Sequence, residues 1–472
     1  MRIIGRIEEQ EKLKYAINSK RPEFVVVYGR RRIGKTFLIK EYFNDKFSFY
    51  CSGILSKSMK LELTAFNNAL IKSGYGDKTK PESWFDAFDR LERAIEEDII
   101  KVDERYNKRI IFLDELPWFD TARSDFKAAF DNFWNTFASR QDNLVLIACG
   151  SATSWILKNL INSKGGFHNR ITSKIHLKPF DLNESRLLIN ELNGNELGDK
   201  EIIDAYMIFG GVPFYLNYIN PNFSLMQNID NIIFKEGSEL NKEYDNLFSS
   251  SFKKYENHSK VIETLAKKRI GLTRNEISNI SKIASGQTLS IVLEELEECG
   301  FIRKYTDYKK KNNNSLYQII DPFTLFSLNF LKDKKFALWI NYVDSPSYYS
   351  WCGYSFEIVC LNHIDKIKKV LGIDGIDSLN YSFYSNSNGG AQIDLLIDRK
   401  DNVINLCEMK YSIDKYNIDE KYEQNIINKI KVFKEISNTK KAIIVTFITL
   451  NGINKNKYSG IVRKELIANE LF

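Results

Sequence analysis

Val25-Val-Val-Tyr-Gly-Arg-Arg-Arg-Ile-Gly-Lys-Thr36 runs from an apolar, β-branched strand into Gly-x-x-x-x-Gly-Lys-Thr, and Phe37-Leu-Ile-Lys-Glu-Tyr-Phe43 then continues with helical character. That order predicts a phosphate-binding loop. Gly29 and Gly34 permit backbone angles that other residues resist, so the N–H groups of Arg30, Arg31, Arg32, Ile33 and Gly34 can turn toward phosphate oxygens at a helix N-terminus. Lys35 is expected to reach the terminal phosphates and the Thr36 hydroxyl to bind Mg²⁺. The competing reading, a glycine-rich turn beside a basic surface, does not account for a strand on one side and a helix on the other.

The chain has 472 residues, too many for one ordinary core, so about two to four domains are expected. Hydrophobic residues at 43% and charged residues at 27% exclude disorder as the overall state. A net charge of +7 is modest for this length; it permits nucleic-acid contact through a local patch without demanding it. Six cysteines and four histidines are scattered without a Cys-x-x-Cys pair, which argues against a zinc site or a disulfide framework. Acidic residues stand at Glu8, Glu9 and Glu11, where a signal peptide has its apolar core, and no run approaches the ~18 apolar residues of a membrane span. The expectation is a soluble, cytoplasmic protein without membrane contact.

Outward from the loop, short β-branched runs at 24–28, 109–113, 144–148 and 174–177 alternate with helical patterns, which reads as a parallel sheet covered on both faces. From Asp181 to Tyr218 the apolar spacing becomes three and four, predicting a small helical lid. Residues 257–322 read as three helices and then two strands, 301–305 and 315–320, joined by the hydrophilic Asp307-Tyr-Lys-Lys-Lys-Asn-Asn-Asn314. Three helices and a basic-tipped hairpin suggest a winged helix, for DNA or for protein contact. A last segment predicts a helix over 354–370, strands at 379–384, 392–397 and 403–410, a helix over 421–436 and a strand at 442–446. The expected class is α/β multidomain, divided as 1–235, 236–330 and 331–472.

A phosphate loop needs a metal-binding acid on a nearby strand, and Ile110-Ile-Phe-Leu-Asp-Glu115 ends one in two acids. Asp114 is expected to hold Mg²⁺, and Glu115 to orient and deprotonate the attacking water. With Gly5-Arg6, Glu8-Glu9, Leu113-Asp-Glu-Leu-Pro117 and Gly210-Gly-Val-Pro-Phe-Tyr-Leu216, the first half of the chain resembles the archaeal-type ATPases of the AAA+/STAND superfamily. The resemblance implies ATP as ligand, Ser151 as a sensor of the γ-phosphate, Arg170 as a finger or sensor, Pro213 as a lid residue packing on the base, and assembly into a homo-oligomer.

In the last segment, Gln392-Ile-Asp394 on one strand precedes Leu406-Cys-Glu-Met-Lys410 on the next. Period two puts Glu408 and Lys410 on one strand face, and Asp394 can face the same way. Two carboxylates and a lysine so arranged can bind Mg²⁺ and activate water. An edge strand with alternating surface charge is the plainer alternative. The pattern resembles the PD-(D/E)xK nuclease core, a restriction-endonuclease-like α/β domain, with Glu357 of Gly353-Tyr-Ser-Phe-Glu357 as its helical acid; Gln392-Ile stands where that family has Pro. The combined expectation is an ATP-hydrolysing, DNA-associated protein with a Mg²⁺-dependent nuclease domain. The alternative is an ATP-controlled signalling or defence switch, or a transcription regulator, with an inactive nuclease-like domain.

Overall fold

The computed structural model describes residues 2–55, 58–151, 153–162, 169–249, 251–252, 255–306, 308, 315–332, 338–386 and 390–472. The chain forms two compact units, Met1–Lys178 and Pro179–Phe472. No helix among the described residues is long and apolar enough to cross a membrane.

The first unit is built on β1 (Glu23–Tyr28), β2 (Phe49–Ser52), β3 (Arg109–Asp114), β4 (Leu144–Gly150) and β5 (Ser173–His176), in the order β2-β3-β4-β1-β5. Every pairing is parallel. Alternation along β1 decides which face each side chain fills. Phe24 and Val26 enter a core with Phe126, Phe130 and Trp134, while Val25 and Val27 enter a second one with Leu13, Leu38, Ile39 and Phe43. Helices thus cover both faces, which is why β1 reads as an unbroken apolar run instead of alternating with polar residues. Burial of each such Val, Leu or Phe contributes roughly 1.5–3 kcal/mol before entropy is counted. The first four sequence-predicted strands are present; β2 was not foreseen.

In the second unit, Asp199–Phe209 ends at Gly210 and Gly211, both left-handed, with φ of 65° and 67°. A Cβ on Gly211 would meet the Phe180 carbonyl oxygen at 2.1 Å, so this close backbone approach admits only glycine. The helix packs against Pro322–Phe330 and Pro346–Asn362. Ser355 Oγ donates to the Met207 carbonyl at 3.1 Å, and the Leu182 N–H donates to His363 Nε2 at 3.0 Å. The compact units divide at 178/179, and the segment expected as a lid buries its apolar face within the second of them.

Helices Tyr255–Leu265, Arg274–Ser281 and Gln287–Glu298 follow, with a small antiparallel sheet in the order β6 (Leu272–Thr273), β8 (Leu316–Ile319), β7 (Ile302–Tyr305). Thr273 caps the second of these helices through a reciprocal box with Glu276. The β7–β8 hairpin docks on the C-terminal sheet: the Tyr308 N–H donates to Ser382 O at 3.0 Å, and its ring lies 5.2 Å from Tyr381 and 5.0 Å from Phe433. Lys309, Lys310 and Lys311, the expected basic tip, lie outside the described residues. An aromatic cluster of Phe326, Phe330, Trp339 and Trp351 then joins Pro322–Phe330 to Pro346–Asn362, with Phe330 and Trp339 5.0 Å apart.

The C-terminal sheet runs β13 (Lys464–Ile467), β12 (Ala442–Thr449), β11 (Val403–Lys410), β10 (Ala391–Arg399), β9 (Ser378–Ser385). β9, β10 and β11 are antiparallel neighbours, while β11, β12 and β13 are parallel. Glu420–Ser437 covers one face through Val432 and Phe433, which pack on Ile404, Leu406, Ile393 and Leu396.

Candidate functional site

The nucleotide loop begins where β1 ends. Gly29 has φ 142°, and a Cβ there would stand 2.3 Å from the Leu177 carbonyl oxygen. Arg32 at φ 70° and Gly34 at φ 88° complete the turn into Lys35–Tyr42, with Gly34 at the helix N-cap. Ile33 is buried in the core beside Val27 and Leu38, so it anchors the loop and offers a ligand only its backbone. Lys35 is buried and donates from Nζ to the Arg30 carbonyl at 2.7 Å, bridging the loop it belongs to. The Thr36 hydroxyl lies 3.1 and 3.0 Å from the two Asp114 carboxylate oxygens, joining the first turn of the helix after the loop to the end of β3.

Asp114 is held above the ordinary carboxylate range, first by burial and then by the neighbouring Glu115. A hydroxyl and a buried carboxylate that both gain from a nearby positive charge form an oxygen donor set suited to Mg²⁺. Glu115 follows at φ 46°. Its Oε2 accepts from both the Ser151 N–H at 3.1 Å and the Ser151 hydroxyl at 2.9 Å, so Ser151, just past β4, orients the acid in this structure. Arg170 is exposed and its charge acts on Asp131. Pro213 opens the short helix Pro213–Leu216 in the second unit. The structure therefore brings Gly29 to Thr36, Asp114, Glu115 and Ser151 together, and leaves Arg170 at the surface of the same unit.

The second acid group lies across β10 and β11. Their register pairs Leu395 with Cys407, the neighbours of Asp394 and Glu408, beside an irregularity of β10 between Ile393 and Leu396; the charges of Asp394, Glu408 and Lys410 all act on Glu357. Glu408 is buried; its Oε1 accepts from Lys429 at 2.6 Å and its Oε2 from the Tyr422 hydroxyl at 2.7 Å, with Lys410 at 3.8 Å. Asp394 accepts from Gln392 Nε2 at 2.7 Å. Glu357, on Pro346–Asn362, is pushed up to about 8, mainly by burial and then by the Asp394 charge, against a lowering pull from Lys410. Among the described residues no three His, Cys, Asp or Glu side chains are grouped to hold a metal ion. Mg²⁺ commonly takes only one or two carboxylates and keeps its waters, so the Asp394/Glu408 pair still fits it. Sequence reasoning missed Lys429 and Tyr422; their spacing of seven on one helix face was the available signal.

A five-stranded parallel sheet carrying a phosphate loop at the end of β1 and an acid at the end of β3 is the architecture of a P-loop ATPase. Residues 4–219 match the family described as "ATPase domain predominantly from Archaea", so this segment carries an ATPase domain of that kind. An uncharacterized protein of Methanocaldococcus jannaschii is 23% identical over 379 residues, covering 78% of each chain. An uncharacterized ATP-binding protein of the same organism is 42% identical over 43 residues, 9% of this chain and 73% of that one. Among solved structures, a Walker-type ATPase of Pyrococcus abyssi is similar at 17% identity and TM-score 0.46, covering 70% of this chain and 96% of its own. The ORC2 protein of Aeropyrum pernix, solved with ADPNP and ADP, is similar at 13% identity and TM-score 0.45, with 70% and 93% covered.

Proposed function

We propose that the chain binds and hydrolyses ATP in its first unit and acts on DNA phosphodiesters at the Asp394/Glu408 site, with 236–330 as a winged helix and 331–472 as a restriction-endonuclease-like domain. The observation that carries the reading is the Thr36–Asp114 contact beside Lys35, because it joins phosphate loop and acidic strand as nucleotide hydrolysis requires. Backbone N–H groups of residues 29–34 cradle the phosphates, Lys35 neutralises their charge, and Glu115, held by Ser151, takes the proton of the attacking water. Mg²⁺ held by Thr36 and Asp114 supplies charge neutralisation at the transferred phosphate. The exposure of Arg170 supports a role at the nucleotide of a second copy in a homo-oligomer.

For the C-terminal site, the support is the location of Asp394 and Glu408 on neighbouring strands, both acting on Glu357, with Lys410 beside Glu408. The helix Gln287–Glu298 gives less support to DNA reading, since Glu294 and Glu297 are exposed along its second half and repel phosphate. A second reading, an ATP-controlled switch with an inert C-terminal domain, is favoured by the occupation of both Glu408 oxygens by Lys429 and Tyr422. The deciding experiment offers full-length protein ATP, Mg²⁺ or Mn²⁺, and linear, branched or single-stranded DNA. Nicking that Glu408→Ala abolishes while ATP hydrolysis persists supports the nuclease; ATP hydrolysis with no cleavage and no metal at this site leaves the switch.

A further inference from the structure

Two arginines from outside the C-terminal sheet gather around Tyr354, one helical turn from Glu357 of its acid group. Arg303, on β7, donates from Nε to Gln318 Oε1 at 2.7 Å across the β7–β8 pair, and its guanidinium lies 4.4 Å from the Tyr305 ring centre. Gln318 in turn donates to the Arg269 carbonyl at 2.8 Å and lies 3.4 Å from the Tyr354 hydroxyl. Arg269 lies 5.4 Å over the Tyr354 ring and donates to Ser350 Oγ at 2.6 Å. Tyr354 and Glu357 are three residues apart on Pro346–Asn362, so this network sits one helical turn from the Glu357 carboxyl.

The charges agree with that placement. Burial lowers the Arg303 pKa, while Tyr305, Tyr354, Asp394 and Glu357 support its charge, and Arg269 lowers Glu357. Yet neither arginine forms an ion pair within 4.0 Å of a described carboxylate, and among the described residues the Nη atoms of Arg303 have no hydrogen-bond partner. A guanidinium taken partly out of water without a close anion is an expensive arrangement, and its planar fork matches a phosphate oxygen pair. A phosphodiester supplies the close anion that the Arg303 guanidinium lacks.

We propose that Arg303 and Arg269 grip the phosphodiester of a nucleic acid strand at the Asp394/Glu408 site, so that the helix-and-hairpin segment before the C-terminal sheet supplies part of its substrate-binding surface. The inference rests on the nuclease reading of that site. The β7–β8 hairpin, anchored through Tyr308 to β9 and the helix Glu420–Ser437, fixes Arg303 relative to the sheet that carries the acids.

The test uses full-length protein with Mn²⁺ and a single- or double-stranded oligonucleotide, measuring nicking kinetics, Mn²⁺ binding by calorimetry and ATP hydrolysis. Arg303→Met is expected to lower kcat/KM for nicking at least about tenfold, chiefly through KM, with Mn²⁺ affinity and ATP hydrolysis within about twofold. Arg303→Lys, which keeps the charge but not the fork, is expected to recover part of the loss. Equal nicking by Arg303→Met, or a loss in Arg303→Met that comes with an equal loss of Mn²⁺ affinity or ATP hydrolysis, makes Arg303 a structural residue and overturns the proposal while leaving the nuclease reading intact. An unmutated protein that binds no Mn²⁺ at this site and cuts no strand overturns both.

Discussion

Glu62 is fully buried on the helix Met59–Lys72, where its Oε2 accepts from the Ile54 N–H at 3.1 Å and so ties down the chain leaving β2; among the described residues its Oε1 has no hydrogen-bond partner. Burial pushes its carboxyl up from 4.5 to about 7. Such a displacement corresponds to about 3 kcal/mol, reduced to about 2 kcal/mol by screening at the loop's edge. The folded-state pKa is raised, so this contribution to stability is fully present below pH 4.5 and is lost as pH rises through about 7. Cys51, the titratable neighbour coupled to Glu62, is itself pushed far up by burial and stays protonated throughout. Glu62→Gln is neutral at every pH. It should match the unmutated protein at pH 5 and hold β2 and the following helix about 2 kcal/mol more firmly at pH 8, about 30-fold in protection. Hydrogen exchange by mass spectrometry on those peptides, comparing the two full-length proteins at each pH, cancels the intrinsic pH dependence of exchange. A difference that stays constant from pH 5 to pH 8 refutes the reasoning.

Lys35→Ala removes the charge expected to face the nucleotide phosphates, and calorimetric titration should show ATP affinity reduced at least about tenfold; equal affinity would sink the loop assignment. Glu115→Gln keeps the Ser151 contact but loses the base, so ATP should bind normally while turnover falls about a hundredfold, read in a phosphate-release assay; unchanged turnover places the base elsewhere. Gly29→Ala drives a Cβ into the Leu177 carbonyl at a φ of 142° and should cost at least about 2 kcal/mol in a denaturation series; an unshifted midpoint contradicts the close approach. Neutralising Lys309, Lys310 and Lys311 together should lower the salt slope of DNA binding by about three counterions at most, and an unaltered slope favours a protein-facing hairpin.

What could be read from the sequence is what lies contiguous along it. The phosphate loop was legible because strand, turn and helix follow one another within twenty residues or so, each with its own chemistry. β1, β3 and β4 were legible because burial on both faces makes them unbroken apolar runs. β2, β6 and β13 have only four, two and four residues, too few for a periodic signal, and exist because a neighbouring strand offers hydrogen bonds. Pro346–Asn362 was expected to begin at Tyr354, because its first turn and a half, with Ser347 and Ser350 among exposed positions, shows no apolar stripe; the Ser345 cap and Pro346 were the overlooked signal. At the C-terminal site, Asp394, Glu408 and Lys410 follow from strand alternation, whereas Lys429, Tyr422 and Arg303 arrive from other elements, and only tertiary packing reveals them.

The aromatic cluster of Phe326, Phe330, Trp339 and Trp351 straddles position 330, the natural place to cut if the segment before it and the sheet after it were separate pieces. A fragment ending there would bare Phe326 and Phe330, and one starting there would bare two tryptophans and the ledge on which Tyr308 rests. Both halves would carry the kind of contiguous apolar patch that drives self-association. A fragment meant to fold is therefore better made to keep 326–351 whole than cut to follow the apparent order of its motifs.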